Sequence, residues 1–429
     1  MTDFPPADRR DVRFILTVAR ALHSAGTTAQ RLEDSLDILS QRLGLRYPQF
    51  FSTPTAIMCA FGEPEQQQVH LLRLAPAGPN IGRLSQLDRV VSGVLDGTLS
   101  RDAALVQVEA IERSPSPFGK LATVLAFGLG SAGIARFLGG GNVEVAVGGA
   151  LGIVTGMFET GVGKMAKLER VSEPLSAFVV AFLATALAAL VGPYGRSTAT
   201  LAGIVLLLPG LVLTNAVREL SERHLASGTA RLAGAAIVLL GLAFGVALGG
   251  RVAADLFGSV VEITPAGLPW WTIPISLVAA GVSFVVVLKA EPADAGWIVA
   301  ACAVSYMFAS TSVRVAGAEL GLFLAAMFNG VVATGWSRWR NRPQTVVLVP
   351  AILMLVPGSV GFRSLNSLLE RDVIDGVQAA FAMVLAATAL SAGLLVAGLL
   401  APGRRRAPVD GGPAIRTGEY RTLSLPPLE

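Results

Sequence analysis

Two segments of the chain place chemically capable residues inside runs that would otherwise be purely apolar. LLLPGLVLTNAVRELSERHLASG spans 206–228 and MLVPGSVGFRSLNSLLERDVIDG spans 354–376. Pro209, Gly210, Leu220, Glu222, Arg223 and Gly228 recur as Pro357, Gly358, Leu368, Glu370, Arg371 and Gly376, all at one ungapped offset, 357 minus 209 or 148 residues. Proline deletes a backbone donor and clashes with the preceding turn, and the glycine after it tolerates unusual dihedrals, so each helix is expected to kink or unwind there. In hydrocarbon the freed amides and carbonyls must be buried in protein or line a wet cavity. They can then serve a ligand, the amides holding a carboxylate and the carbonyls an ammonium group.

Asn215, Arg218 and Arg363 follow the breaks closely and complete a candidate binding set with Pro209, Gly210, Pro357 and Gly358. A kink that serves packing alone is the plainer reading of one isolated Pro-Gly; symmetric duplication is what argues for a site. Glu222, Arg223, Glu370 and Arg371 read as gate charges, with solvated surface as the alternative, and each adjacent pair cannot face itself across a helix turn. Glu159 and Glu319 lie inside apolar runs and are the candidates to carry a coupling proton; the plain alternative is an interfacial carboxylate that reaches water. Asn329, like Asn215, can bind a substrate or bridge two helices.

Other motifs carry less. Gly128, Gly130 and Gly133 satisfy GxGxxG, but no strand precedes them and close helix packing explains them. Gly163-Lys164 lacks the glycine spacing of a phosphate loop, and Met165 stands where a hydroxyl would hold magnesium, so no ATPase is encoded. His23, His70 and His224, with Cys59 and Cys302, are too scattered to suggest a metal centre, a nucleophile-base pair or a disulfide framework. The expectation is a protein without cofactor or metal, and not an enzyme.

The elements that must position these residues follow from composition. Over 429 residues, 52% are apolar and only 15% charged; with a mean hydropathy of +0.61, this is a polytopic membrane protein. Ten runs reach the length that crosses about 30 Å of hydrocarbon: 121–138, 143–163, 174–191, 198–217, 228–249, 269–288, 296–312, 316–336, 345–362 and 374–400. The net charge of +4 does not mark a nucleic-acid partner: the basic residues, among them Lys164, Lys167, Arg170, Arg338, Arg340, Arg342 and the 404–406 arginine run, fall in loops that the positive-inside rule assigns to the cytoplasm. Trp270, Trp271, Trp336 and Trp339 sit at span ends as an aromatic belt does.

Five spans separate equivalent points of the doubled element, an odd number, so the two halves must lie in the membrane with opposite orientation. The expected organisation is a cytoplasmic α+β domain over 1–119, a five-helix repeat over 120–250, an extracytoplasmic linker over 251–268, an inverted five-helix repeat over 269–400, and a disordered cytoplasmic tail over 401–429. In the first domain, apolar spacing predicts helices over 11–24, from Thr27 to near Gly44, over 81–95 and over 102–112, with extended runs over 50–61 and 69–74. Thr27 and Gln30 have the spacing of a capping box.

GTTAQRLEDSLDILSQRLGL with the later TPT, LLLPGLVLTNAVRELSERHLASGTARL, and VPAILMLVPGSVGFRSLNSLLERD together resemble the threonine/serine exporter (ThrE) family of bacterial membrane proteins. The resemblance covers residues 10–400 and rests chiefly on the domain order. It implies export of threonine and serine driven by the proton-motive force, from a multi-pass protein of the bacterial plasma membrane with both termini cytoplasmic. Relatives that split the two modules are linked to dicarboxylate export, so a succinate-like substrate is one alternative. A membrane-anchored sensor or scaffold whose first domain binds the ligand is another. The implied partners are a small-molecule substrate and the lipid bilayer, and the sequence is compatible with a homo-oligomer.

Overall fold

The computed structural model describes residues 9–63, 66–161, 171–259, 261–355 and 373–401. It is mainly helical, with one small sheet in an N-terminal unit. In that unit, helices α1 (Arg9–Ser24), α2 (Ala29–Arg42), α3 (Ile81–Leu95) and α4 (Arg101–Arg113) surround strands β1 (Gln49–Thr53), β2 (Ala56–Phe61) and β3 (Gln68–Arg73). The strands form an antiparallel meander in the order β1-β2-β3. Phe14, Ile15 and Val18 of α1, Leu32, Leu36 and Leu39 of α2, and Ile57 and Phe61 of β2 close one apolar core. The run 50–61, expected as a single extended segment, is instead a hairpin with Pro54 in its turn. Proline has no amide for a ladder bond, so the turn is where it fits.

Eight helices among the described residues are long and apolar enough to cross a membrane, and one bent pair makes a ninth. In order they are α5 (Lys120–Phe137), α6 (Asn142–Thr160), α7 (Ser172–Val191), the pair α8 (Arg196–Ile204) and α9 (Gly210–Ser221), α10 (Leu225–Phe257), α11 (Ile273–Val287), α12 (Ala295–Ala316), α13 (Ala318–Arg340) and α15 (Val373–Leu400). The remaining expected span, 345–362, starts as α14 (Thr345–Leu353), and its continuation lies outside the described residues. So do Lys164, Lys167, Arg170 and residues 402–429 of the expected tail. At 33 residues α10 runs well past its expected end and occupies part of the expected linker; Gly258, at φ 92°, ends it.

Small residues set how closely these helices approach. Gly130 and Gly133 of α5 lie against Ser283 and the Ser276 carbonyl of α11, while Gly128 faces Ile153 of α6, so the GxGxxG pattern is a packing motif. Gly245 and Gly249 of α10 lie against the carbonyls of Pro174 and Phe178 on α7, and Gly393 of α15 lies against the Phe323 carbonyl of α13. Gly245 and Gly393 stand 148 residues apart.

The N-terminal unit marks one face of the membrane part. The Ile81 amide donates to the Leu288 carbonyl at 3.0 Å, just beyond α11, and Arg89 pairs with Glu291 at 2.6 Å before α12. Arg31 reaches Thr345 Oγ1 at 3.3 Å at the start of α14, and Arg83 donates to the Ser114 carbonyl at 2.8 Å in the linker that leads into α5. Thus α5, α12 and α14 begin at this face, and α11 ends there.

Candidate functional site

The Pro-Gly pair breaks its helix. After α8 a single 3-10 turn covers Val205–Leu207, Leu208 is extended at φ −65° and ψ 129°, and α9 restarts at Gly210. A residue before proline is pushed out of the helical region by the pyrrolidine ring, and Leu208 obeys this. The two limbs, Arg196–Leu207 and Gly210–Ser221, bend by 56°.

Hydroxyls take up backbone groups around the break. Thr155 of α6 donates to the Gly203 carbonyl at 2.8 Å, Thr214 donates to the Gly210 carbonyl at 3.1 Å, and Ser391 of α15 donates to the Thr214 carbonyl at 3.3 Å. The 3-10 turn packs on α5, where Leu206 and Ser283 flank Gly130. Ser131, facing α6, and Ser283 of α11 have buried hydroxyls without a hydrogen-bond partner among the described residues. In an apolar layer such orphans are costly, and they offer donors and acceptors to a small polar molecule.

The second half repeats part of this arrangement. Ser305 of α12 donates to the Ala351 carbonyl at 2.8 Å, and Asn329 of α13 donates to Ser305 Oγ at 2.8 Å. Ala351 lies 148 residues after Gly203, so a hydroxyl from the second helix of each half bonds the same register of the helix that carries the Pro-Gly. Asn329 therefore makes an interhelical bond, one of the two roles expected of it. Pro357, Gly358, Arg363, Glu370 and Arg371 lie outside the described residues.

The far end of α9 meets the N-terminal unit. Glu219, at 0% exposure, accepts from the Ala29 amide at 3.0 Å and from Arg231 Nε of α10 at 3.1 and 3.0 Å. Arg231 also donates to the Thr27 carbonyl at 3.4 Å. The expected capping box does not form: Thr27 Oγ1 has no partner among the described residues, the N-cap is Thr28, whose side chain makes no cap bond, and the Glu219 carboxylate accepts from the Ala29 amide at the N-terminus of α2 instead. Gln30 turns away, its amide nitrogen donating to Glu222 at 2.8 and 2.9 Å. Glu222 also pairs with Arg218 at 2.9 Å. Arg223 is exposed, with φ 68° in the left-handed turn that ends α9. The gate set is thus divided: Glu222 joins the contact with the unit, and Arg223 faces outward.

Asn215 is half-buried with no hydrogen bond among the described residues. Glu159 is partly buried in the last turn of α6, and Glu319 is exposed in the first turn of α13, the position of a carboxylate that reaches water. Trp270, Trp271 and Trp339 are exposed at helix ends, whereas Trp336 is buried against Trp297 and departs from the belt reading. Cys59 and Cys302 are buried free thiols, and burial pushes Cys59 up to about 12, far from thiolate chemistry. Sequence reasoning missed Glu219, Arg231, Thr155, Ser131 and Ser283. Glu219 in particular looked like an ordinary helix-end charge, its partner lying 190 residues earlier.

His23 sits beside this contact, its Nε2 3.2 Å from the Thr53 carbonyl, and burial lowers its pKa below the ordinary 6.5. Below that value the unfolded chain takes a proton that the folded chain refuses, so stability falls as the pH drops. Burial raises Glu33 and Asp34, which act with the opposite sign. His23→Gln isolates the imidazole: between about pH 7.5 and about pH 5.5 its melting temperature should fall less, or rise more, than that of the wild type.

This is a multi-pass membrane protein built around a broken, polar-lined helix. It belongs to the threonine/serine exporter (ThrE) family, whose sequence models match residues 13–253 and 272–400. It is similar to pheromone-regulated membrane protein 10 of several fungi: 31% identical over 254 residues in Debaryomyces hansenii, covering 58% of this chain and 25% of that protein. In Eremothecium gossypii the identity is 26% over 403 residues, covering 89% and 53%, and in Saccharomyces cerevisiae 28% over 379 residues, covering 83% and 47%. The chain spans from a quarter to about half of these relatives' length. No solved structure matches it.

Proposed function

We propose that the chain is a secondary active exporter of small polar amino acids, threonine and serine, coupled to protons by antiport across a bacterial plasma membrane. The observation that carries this reading is the break at Leu208–Pro209, set against buried hydroxyls with no partner among the described residues. Helix ends at such a break offer amides to a carboxylate and carbonyls to an ammonium group, with Asn215 and Arg218 farther along α9. Alternating access needs two related halves of opposite orientation. That is supported by α5 beginning and α11 ending at the face of the N-terminal unit, and by the shared register of Gly203 with Ala351 and of Gly245 with Gly393. On this reading the N-terminal unit is cytoplasmic, both termini lie inside, and Glu159 is the better placed proton carrier.

Efflux of labelled threonine, serine and succinate from loaded cells, with and without the protein, tests the substrate class. Threonine and serine should leave faster with the protein present; efflux of succinate alone would transfer the mechanism to dicarboxylates. Pro209→Ala restores a backbone donor and lets the two limbs straighten, so threonine efflux should fall about tenfold or more at equal protein level. Unchanged efflux in Pro209→Ala would remove the break from the mechanism.

A further inference from the structure

A groove of about 170 Å³ opens between α12 and α13 and is backed by α14, away from the break in α8–α9. Its walls are almost wholly apolar, and Val304 and Val332, 43% and 44% exposed, flank it on the outer surface of the helices. At its floor the polar groups are already paired: Asn329 donates to Ser305, and Ser305 to the Ala351 carbonyl. One wall group is not. Trp336 is only 8% exposed, and its buried Nε1–H has no acceptor among the described residues. A buried indole N–H ordinarily finds one.

The Trp297–Trp336 end of the groove lies on the side of the N-terminal unit, because α12 begins beside the Arg89–Glu291 pair and α13 ends at Arg340. There the Arg340 guanidinium stands 5.6 Å from the Trp297 ring and 5.5 Å from the Trp339 ring. Arg342 is taken by Glu291 and Asp294, whereas Arg340 makes no ion pair with a described residue. From Arg340 to Asn329, eleven residues of helix cover about 16 Å, the depth of one leaflet's hydrocarbon. An unneutralised cation at headgroup level, an orphan donor below it and an apolar slot that continues about 10 Å from Trp336 to Asn329 match one kind of molecule in its natural order of parts.

We propose that this groove holds one anionic phospholipid from the leaflet on the N-terminal unit's side. An acyl chain fills the slot, an ester carbonyl accepts the Trp336 Nε1–H, and the phosphate lies beside Arg340. The groove lies away from the break in α8–α9, and the lipid reading stands whichever solute the protein carries.

Native mass spectrometry of the full chain, released from detergent with equimolar phosphatidylglycerol and phosphatidylcholine, tests it. The wild type should retain one phosphatidylglycerol with about fivefold preference, the size expected for one arginine at an anionic surface. Arg340→Gln should bring that preference close to one. Trp336→Phe, which keeps an aromatic side chain and deletes the donor, should lower retention of both lipids. Equal retention of the two lipids by the wild type would overturn the proposal, as would a preference that survives Arg340→Gln. A dimer that buries the groove without lipid would overturn it by assigning the groove to a second copy. Arg340→Gln is a surface change, so a folding defect in Trp336→Phe would leave the decisive comparison intact.

Discussion

Glu219→Ala is expected to destabilise the protein by about 3–5 kcal/mol, seen as a large fall in melting temperature in detergent. The substitution strands the Arg231 guanidinium, whose side chain is only 16% exposed, beside a carboxylate site with 0% exposure. It also leaves the Ala29 amide at the start of α2 without its acceptor. Removing one member of a buried pair costs far more than the pair itself is worth, because the remaining charge stays desolvated. Glu219→Ala combined with Arg231→Leu should therefore recover much of the loss. Asp255→Ala, which breaks the exposed Arg251–Asp255 pair, should shift stability by less than about 0.5 kcal/mol. A small effect of Glu219→Ala would mean that α9 and the N-terminal unit are not clamped through this carboxylate.

Gly249→Val should be as damaging by a different route. A side chain there would drive into the Phe178 carbonyl and backbone of α7, which has no flexible end to move aside. Overpacking usually costs about 1–3 kcal/mol, and a backbone obstacle belongs at the top of that range or beyond it. The expected result is loss of monodisperse protein on size exclusion. Gly393→Val, against the Phe323 carbonyl, should behave alike, because it stands at the same register of the second half as Gly245. Gly234→Val on α10 meets nothing within 4 Å and should be tolerated. Equal tolerance of all three would mean that α7 and α10 do not approach as closely as the glycines imply.

The elements that were legible in the sequence are those set by local chemistry. The break at Pro209 follows from a missing donor and a steric clash within a few residues, and the apolar runs reveal the spans through length alone. The hairpin at 50–61 was hidden because a run such as FFSTPTAIMCAF is extended on both sides of its turn, so only Pro54 hinted at the reversal. The Thr27–Gln30 capping pattern was present but overridden: Glu219 brings a carboxylate to the neighbouring Ala29 amide, and a carboxylate is a stronger acceptor for a helix N-terminus than a threonine hydroxyl. No short-range pattern links α9 to α2, and the same holds for Arg89 with Glu291. The hydroxyls of Ser131, Thr155 and Ser283 gave no warning either. In a membrane helix a serine or threonine can bond its own backbone, and only the packing of α5, α6 and α11 decides which of them is left over.

The proton-driven export at the centre of this reading is tested most directly by efflux of labelled threonine from loaded cells, with and without the protein, before and after a protonophore collapses the gradient. The prediction is a protein-dependent efflux that disappears with the gradient. Protein-dependent efflux that persists at the same rate after collapse would contradict the coupling, and no protein-dependent efflux of threonine, serine or succinate would contradict the transporter reading itself.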